Sequence, residues 1–188
     1  RLLRANAIGD IRLLQADFGF RAPFNPQSRL FAPELGGGAL LDVGVYVVSF
    51  ASMIFGKPRD IVGLAYLGDT GVDELCSLVL KYDCGAMAAI SAAISTSTPH
   101  EANLLGSEGR LRIHAPFYKA EKISLIRPGK PEEILDFPIT GNGYNYEAAE
   151  VARCLREGLR ESETLPLDET LQIMRTMDEA RRQWGLKY

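Results

Sequence analysis

The 188-residue sequence contains few of the residues that build metal sites or disulfide frameworks. It has two histidines, His100 and His114, and it has no CxxC or HExxH motif, which argues against a zinc site. Its three cysteines, Cys76, Cys84 and Cys154, are too few and odd in number for a disulfide framework. We interpret them as buried thiols of a reducing compartment and therefore expect a cytoplasmic protein.

The sequence also lacks the charge excess and the apolar runs of two other classes. Its net charge is −3, whereas general nucleic-acid binders are usually basic, so we expect no nucleic-acid partner. Residues 39–55 form the longest apolar stretch, but they contain Asp42 and fall short of the about 20 apolar residues of a membrane span. We predict a buried helix there and no membrane partner. The start, RLLR at residues 1–4, lacks a following signal-peptide core and resembles the interior of a longer protein.

No GxGxxG motif follows the first predicted strand, so the fingerprint of a dinucleotide-binding domain is missing. Strands are predicted at residues 11–20, 59–67, 74–82, 86–95, 101–105, 110–114, 122–127 and 133–137, the last two as edge strands. A proline-interrupted loop covers residues 21–35, and a helix is expected from about Ala39 to Phe55. Because a run of strands precedes the final helices, we predict an α+β fold with a largely antiparallel sheet.

Two helices are predicted at the end of the chain, and each has an apolar stripe. The first covers residues 145–159, and the second runs from Asp168 as its N-cap to Gly185 as its C-cap. The expected stripes are Ala148, Ala152, Leu155 and Leu159 on the first helix, and Leu171, Met174, Met177 and Trp184 on the second.

The most unusual segment is GGGALLDVGVY at residues 36–46. Three glycines before a helix permit close approach by a ligand or another part of the chain. Asp42 and Tyr46 are four residues apart and share one face of an otherwise apolar helix. In one interpretation, Asp42 bonds nearby backbone and Tyr46 is a core tyrosine. In the other, the carboxylate orients a polar substrate beside a phenol that moves a proton.

Other polar and aromatic residues receive structural interpretations. We interpret His100 as a solvated loop residue and His114 as structural. Tyr144 and Tyr146, which precede the penultimate helix, are expected to pack in the core, with a substrate-pocket role as the alternative.

The segment at residues 36–46 resembles the GGG-x-L-x-D-x-G-x-[HY] motif of the Gfo/Idh/MocA oxidoreductases. The last residue of that motif is His in most members and Tyr in the glucose–fructose oxidoreductase and dihydrodiol dehydrogenase branches. IGDI at residues 8–11 resembles the start of the family's C-terminal domain, and SRLF at 28–31 the segment where an arginine approaches the cofactor. QWGLKY at 183–188 resembles the end of dihydrodiol and D-xylose dehydrogenase-like members.

This resemblance covers the whole chain and implies that residues 1–188 are the substrate-binding and oligomerisation C-terminal domain of a two-domain oxidoreductase. It implies a glyceraldehyde-3-phosphate dehydrogenase-like domain, with a large open sheet and helices packed on one face. NAD or NADP would be held mainly by an upstream Rossmann domain, which also supplies a catalytic lysine. Neither is present in this chain, so we expect the chain alone to be inactive.

By the same resemblance, Tyr46 is the proton donor or acceptor at the substrate, Asp42 hydrogen-bonds and orients the substrate, and Arg29 approaches the cofactor. The expected substrate is a sugar, a cyclic polyol or a trans-dihydrodiol, and tyrosine at position 46 favours the dihydrodiol or D-xylose dehydrogenase-like branch. The resemblance also implies a homodimer or homotetramer formed through the sheet. The alternative is a non-catalytic binding or dimerisation module with the same fold.

Overall fold

The computed structural model describes residues 2–187, so Arg1 and Tyr188, the outermost residues of the two chain-end segments discussed above, lie outside the described residues. The described residues form one sheet of eight strands. These are β1 (Ile11–Gly19), β2 (Asp60–Leu67), β3 (Asp73–Lys81), β4 (Met87–Ala93), β5 (Ala102–Gly106), β6 (Arg110–Ile113), β7 (Lys122–Ile126) and β8 (Glu133–Asp136).

The strand order in the sheet is β2-β3-β4-β1-β5-β6-β7-β8. Every neighbouring pair is antiparallel except β1 and β4, which are parallel with Leu14 opposite Ala88 and Ala16 opposite Ile90. The predicted α+β class with a mostly antiparallel sheet is therefore confirmed. The prediction of two C-terminal edge strands is wrong for β7, because β7 pairs on both sides and the sheet edges are β2 and β8.

The predicted apolar helix begins as a π-helical turn over Leu40–Gly44 and continues as α1 (Val45–Phe55). It ends at Gly56, whose φ of 73° lies in the left-handed region that glycine adopts without strain. By length and composition, the stretch Pro33–Phe55 could cross a membrane, but half of its apolar 18-residue window is buried inside the domain. A core helix of a globular domain has this same character.

Helices cover one face of the sheet and leave the other open. The core lies between the strands and two helices, α1 and α3 (Leu167–Trp184). Strand side chains in the core include Leu14, Ala16, Leu78, Leu80 and Ile90, and helix side chains include Val47, Val48, Ala51, Ile173, Met177 and Ala180. The opposite face exposes a group of apolar side chains, which we call the open-face patch: Val62, Leu64, Tyr66, Leu75, Val79 and Met87.

The predicted stripes on the last two helices need correction. On α2 (Tyr144–Arg156), Leu155 is 73% exposed and Cys154 is the buried position. On α3, the buried residues are Ile173, Thr176, Met177 and Ala180, whereas Leu171 and Met174 are exposed. Periodicity shows that a helix has an apolar side, but only its docking angle decides which residues of that side meet the sheet.

Three further expectations fail. Asp168 lies in the first turn of α3 rather than at its cap, and Glu161 instead accepts a hydrogen bond from the Leu167 amide at 2.7 Å. Cys84 is exposed, unlike Cys76 and Cys154, because it sits in the turn between β3 and β4.

Tyr144 and Tyr146 are also exposed rather than packed in the core. The hydroxyl oxygen of Tyr146 accepts a hydrogen bond from the Thr140 amide at 3.0 Å and so holds the loop before α2.

Candidate functional site

The glycines of the GGGALLDVGVY segment let the chain fold tightly onto the preceding loop. The Gly38 amide donates to the Leu30 carbonyl at 2.8 Å, and the Gly37 amide donates to the Ala32 carbonyl at 3.1 Å. A Cβ at Gly37 would lie 2.8 Å from the Leu30 oxygen, closer than real Cβ atoms come. The close approach predicted from the glycines is therefore made by the chain's own loop, which places residue 29 beside the helix start.

That loop brings together two of the residues predicted for the site. The guanidinium of Arg29 donates to Asp42 Oδ1 at 2.5 Å. The Asp42 side chain is only 15% exposed, whereas that of Arg29 is 68% exposed. Asp42 lies in the π-helical turn, so a carboxylate at the domain surface is held between its helix and a solvated cation. Sequence analysis named both residues but not their contact.

Tyr46 lies in the first turn of α1, four residues after Asp42, and it is 46% exposed. Among the residues that the structure describes, its hydroxyl has no hydrogen-bond partner. This geometry contradicts the interpretation of Tyr46 as a core tyrosine with a satisfied hydroxyl. A phenol that is open to solvent near a carboxylate can exchange a proton with a small molecule bound beside it.

An aromatic cluster surrounds the Tyr46 ring. The ring of Phe18, from β1, meets it edge-on at 5.2 Å between centroids, and the ring of Tyr118 does so at 5.4 Å. Phe18 and Tyr118 stack on each other at 4.6 Å with an angle of 12° between their planes. Tyr118 is exposed, so the cluster offers an aromatic wall beside the phenol.

Sequence analysis missed Phe18 and Tyr118 as neighbours of the site. Tyr118 lies in a 3₁₀ turn, Phe117–Lys119, between β6 and β7 and is 100 residues from Phe18 along the chain. Local periodicity contains no signal for such a contact, because only the pairing order of the sheet brings β1 close to that turn.

His100 also belongs to this neighbourhood and is not the solvated loop residue that we expected. It is half-buried with a φ of 59°, and its amide donates to Asp17 Oδ2 at 2.7 Å. Its Nε2 lies 2.5 Å from the Gly19 carbonyl oxygen, so the proton must be on Nε2 for that bond to form. The ring contacts Phe18 at 4.8 Å and thereby supports the aromatic cluster from behind.

His114 is structural, as predicted. Its Nε2 lies 2.8 Å from the Ser124 hydroxyl, which is fully buried in β7. The contact ties the end of β6 to β7.

Comparisons with known proteins place the chain among oxidoreductase relatives. A family model described as the GFO/IDH/MocA C-terminal domain matches residues 1–112. The whole chain is 38% identical over 197 residues to a trans-1,2-dihydrobenzene-1,2-diol dehydrogenase of Xenopus laevis and 37% identical over 198 residues to that of Danio rerio. It covers 58% of the length of each of these relatives.

Solved structures share the fold at lower identity. The aldose-aldose oxidoreductase of Caulobacter crescentus, complexed with glycerol, superposes with a TM-score of 0.81 at 22% identity, over 96% of this chain and 55% of that one. A 3-ketoreductase of Actinomadura kijaniata in complex with NADP and TDP-benzene superposes with a TM-score of 0.76 at 22% identity, over 94% of this chain and 54% of that one.

Proposed function

The chain belongs to the GFO/IDH/MocA family, and from that membership we propose that residues 1–188 are the C-terminal, substrate-binding domain of an NAD(P)-dependent oxidoreductase acting on CH–OH groups. One observation carries the proposal. The family motif presents a half-exposed phenol, Tyr46, beside a carboxylate, Asp42, that is held by a solvated arginine. The remaining two-fifths of the relatives' length would supply the cofactor domain and the catalytic lysine.

Tyr46 is the proton donor or acceptor in this proposal. During oxidation of an alcohol its phenolate takes the hydroxyl proton, and during reduction its phenol returns that proton to the carbonyl oxygen. A lysine supplied by the upstream domain would complete the proton relay. Asp42 accepts a hydrogen bond from a second substrate hydroxyl and so orients a diol or polyol, while the bond from Arg29 holds the carboxylate in place.

The chain's own residues are compatible with a nicotinamide cofactor. The Arg29 guanidinium is mostly exposed at the surface that carries Tyr46, so a cation and a proton-transfer group are both available there. When bound, a nicotinamide ring would exchange a hydride with the substrate carbon. Arg29 would bind the cofactor's polar groups while keeping its bond to Asp42. The choice between NAD and NADP belongs to the upstream domain.

We assign the substrate to small ring compounds with adjacent hydroxyl groups, such as a trans-dihydrodiol, a cyclic polyol or a sugar. The exposed ring of Tyr118, stacked on Phe18, gives an apolar surface for the ring of the substrate. Asp42 and Tyr46 give polar partners for two hydroxyl groups. The similarity to trans-1,2-dihydrobenzene-1,2-diol dehydrogenases supports this substrate class.

The open-face patch supports self-association as a homodimer or homotetramer. Leu64, at its centre on edge strand β2, is 82% exposed, and the neighbouring apolar side chains of β3 extend the patch. A group of exposed apolar side chains on one sheet face is typical of a surface that packs on another protein. Stacking of two such faces from two copies would bury the patch.

The exposed thiol of Cys84 supports our proposal of a cytoplasmic location, where thiols stay reduced.

Replacement of Tyr46 by phenylalanine in the complete protein tests the proposal. Loss of the proton-transfer group should lower kcat by about 10²- to 10⁴-fold and leave KM for a trans-dihydrodiol nearly unchanged. Tyr66→Phe, which removes a hydroxyl from the open-face patch, is the matched control and should retain wild-type turnover. Unchanged turnover in Tyr46→Phe would refute the proton role and favour the non-catalytic module.

A further inference from the structure

The first residue of β3, Asp73, is fully buried, with none of its surface exposed. Its Oδ2 accepts a hydrogen bond from the Leu40 amide at 2.7 Å. Leu40 opens the π-helical turn that carries Asp42, and amides in a first turn have no partner within their own helix. The local cap position, Ala39, has no polar side chain, so a strand 33 residues further along the chain supplies the cap.

The turn is also held at its other end. A Cβ at Gly44 would lie 3.4 Å from Ala92 Cβ on β4 and 3.0 Å from Leu40 Cδ1, so glycine lets the helix lie directly on the sheet. Between these two fixed points the chain presents Asp42 to Arg29. Four residues after Asp42 in the same helix, Tyr46 contacts the aromatic cluster.

A carboxylate is a costly choice for this position. Among the described residues, Asp73 Oδ1 has no hydrogen-bond partner. Burial raises the pKa of Asp73 to about 6, although the amides of Leu40 and Asp73, the Cys76 thiol and the Arg181 guanidinium all favour its ionised form. An apolar side chain would avoid this cost. An apolar side chain, however, could not accept the hydrogen bond from the Leu40 amide.

We propose that Asp73 is a positioning residue for the reaction, one that fixes the geometry of Asp42 and Tyr46 by capping their helix from inside the sheet. The catalytic consequence of this proposal rests on the proposed function, whereas the capping of the helix does not. The ionised carboxylate also lies at the positive end of a helix of sixteen residues, 40–55, which strengthens the cap.

Amide hydrogen exchange in the complete protein tests the structural part. Asp73→Ala removes the acceptor and should speed exchange of the amides at residues 40–46 by about 5- to 30-fold, the effect of a lost helix cap. Asp73→Asn keeps a carbonyl oxygen for the Leu40 amide and should restore most of the protection. Ser124→Ala, which removes another fully buried polar group, is the control and should leave residues 40–46 unchanged.

The kinetic part uses the same three variants and a trans-dihydrodiol. Asp73→Ala should lower kcat by about 10-fold or more while KM rises less, because the reacting phenol and the orienting carboxylate move relative to the substrate. Asp73→Asn should recover most of kcat. This rescue is the readout that separates positioning from a general loss of stability.

Equal acceleration of exchange across the whole domain in Asp73→Ala, or no acceleration at residues 40–46, would overturn the proposal. If Asp73→Ala does not fold, Asp73→Asn decides alone: protection at residues 40–46 close to wild type supports the cap, and its loss there contradicts it. If the variants show the expected exchange pattern but the wild-type protein has no turnover, the proposed function is refuted and the capping role stands.

Discussion

The two faces of the sheet differ in composition and in surroundings: the covered face is apolar, whereas the open face mixes apolar side chains with polar ones such as Ser77 and Ser91. Along β3, Cys76, Leu78 and Leu80 point towards the helices and are buried, while Leu75 and Val79 point the other way and are exposed. A strand with apolar residues on both sides is typical of a sheet that is covered on both faces. The helix-covered face forms the core and holds the candidate site, and the described residues leave the apolar side chains of the open face exposed.

The comparison can be tested most strongly by removing the same side chain from each face of β3. Leu78→Ala creates a cavity in the core and should lower the free energy of unfolding by about 2–5 kcal/mol. Leu75→Ala, at a side chain that is 38% exposed, should cost less than about 1.5 kcal/mol in the monomer. Denaturant unfolding of both variants gives the difference, and equal losses would contradict the assignment of the faces.

A change of pH should affect the helix-covered face through Asp73. Because its pKa is about 6 in the folded chain and 3.8 ordinarily, the folded state binds the proton more tightly. The free energy of unfolding should therefore fall as pH rises from about 4 through about 6. The fall should be about 3 kcal/mol larger than that of Asp73→Asn over the same pH range. Urea unfolding of both proteins between pH 4 and 8 measures this, and parallel curves would rule out a buried, perturbed carboxylate.

The open face should respond to a charge through association rather than through folding. Leu64→Asp places a carboxylate at the centre of the open-face patch and should weaken self-association by about 100-fold or more, since the charge would be buried unpaired between two copies. Its thermal stability as a monomer should change little. Leu155→Asp, at an apolar position on α2 that is 73% exposed against 82% for Leu64, is the control.

Sedimentation of both variants over a range of concentrations reads out this prediction. Dissociation by Leu64→Asp alone assigns the interface to the open face. A shift in both variants, or in neither, would show that self-association does not use this face.

Local patterns in the sequence were enough to predict the elements but not their partners. Apolar alternation predicted most strand bounds within a few residues. The apolar run and the stop at Gly56 predicted the helix over residues 39–55. The Asp42–Tyr46 pair was likewise visible from its spacing. The stacking of Tyr118 on Phe18 and the cap from Asp73 to Leu40 join segments far apart in the chain, so they depend on sheet order. No period of 2 or 3.6 residues encodes that order.

The same limit explains the errors on α2 and α3. An apolar stripe indicates that a helix side is to be covered, but it does not identify the covering surface. Leu155 and Leu171 belong to such stripes and remain exposed. Helix α3 packs on β2 and α1 with Ile173 and Met177 in the core, and the buried residue of α2 is Cys154, not Leu155.

The central claim is that this domain serves hydride exchange with a ring diol, a polyol or a sugar, and turnover of the complete natural protein tests it most directly. With NADP or NAD and trans-1,2-dihydrobenzene-1,2-diol or D-xylose, we expect the reduced nicotinamide to accumulate, and we expect residues 1–188 alone to produce none. Absence of turnover with every diol, polyol and sugar, in a complete protein that still binds the cofactor, would contradict the claim and identify the domain as a binding module.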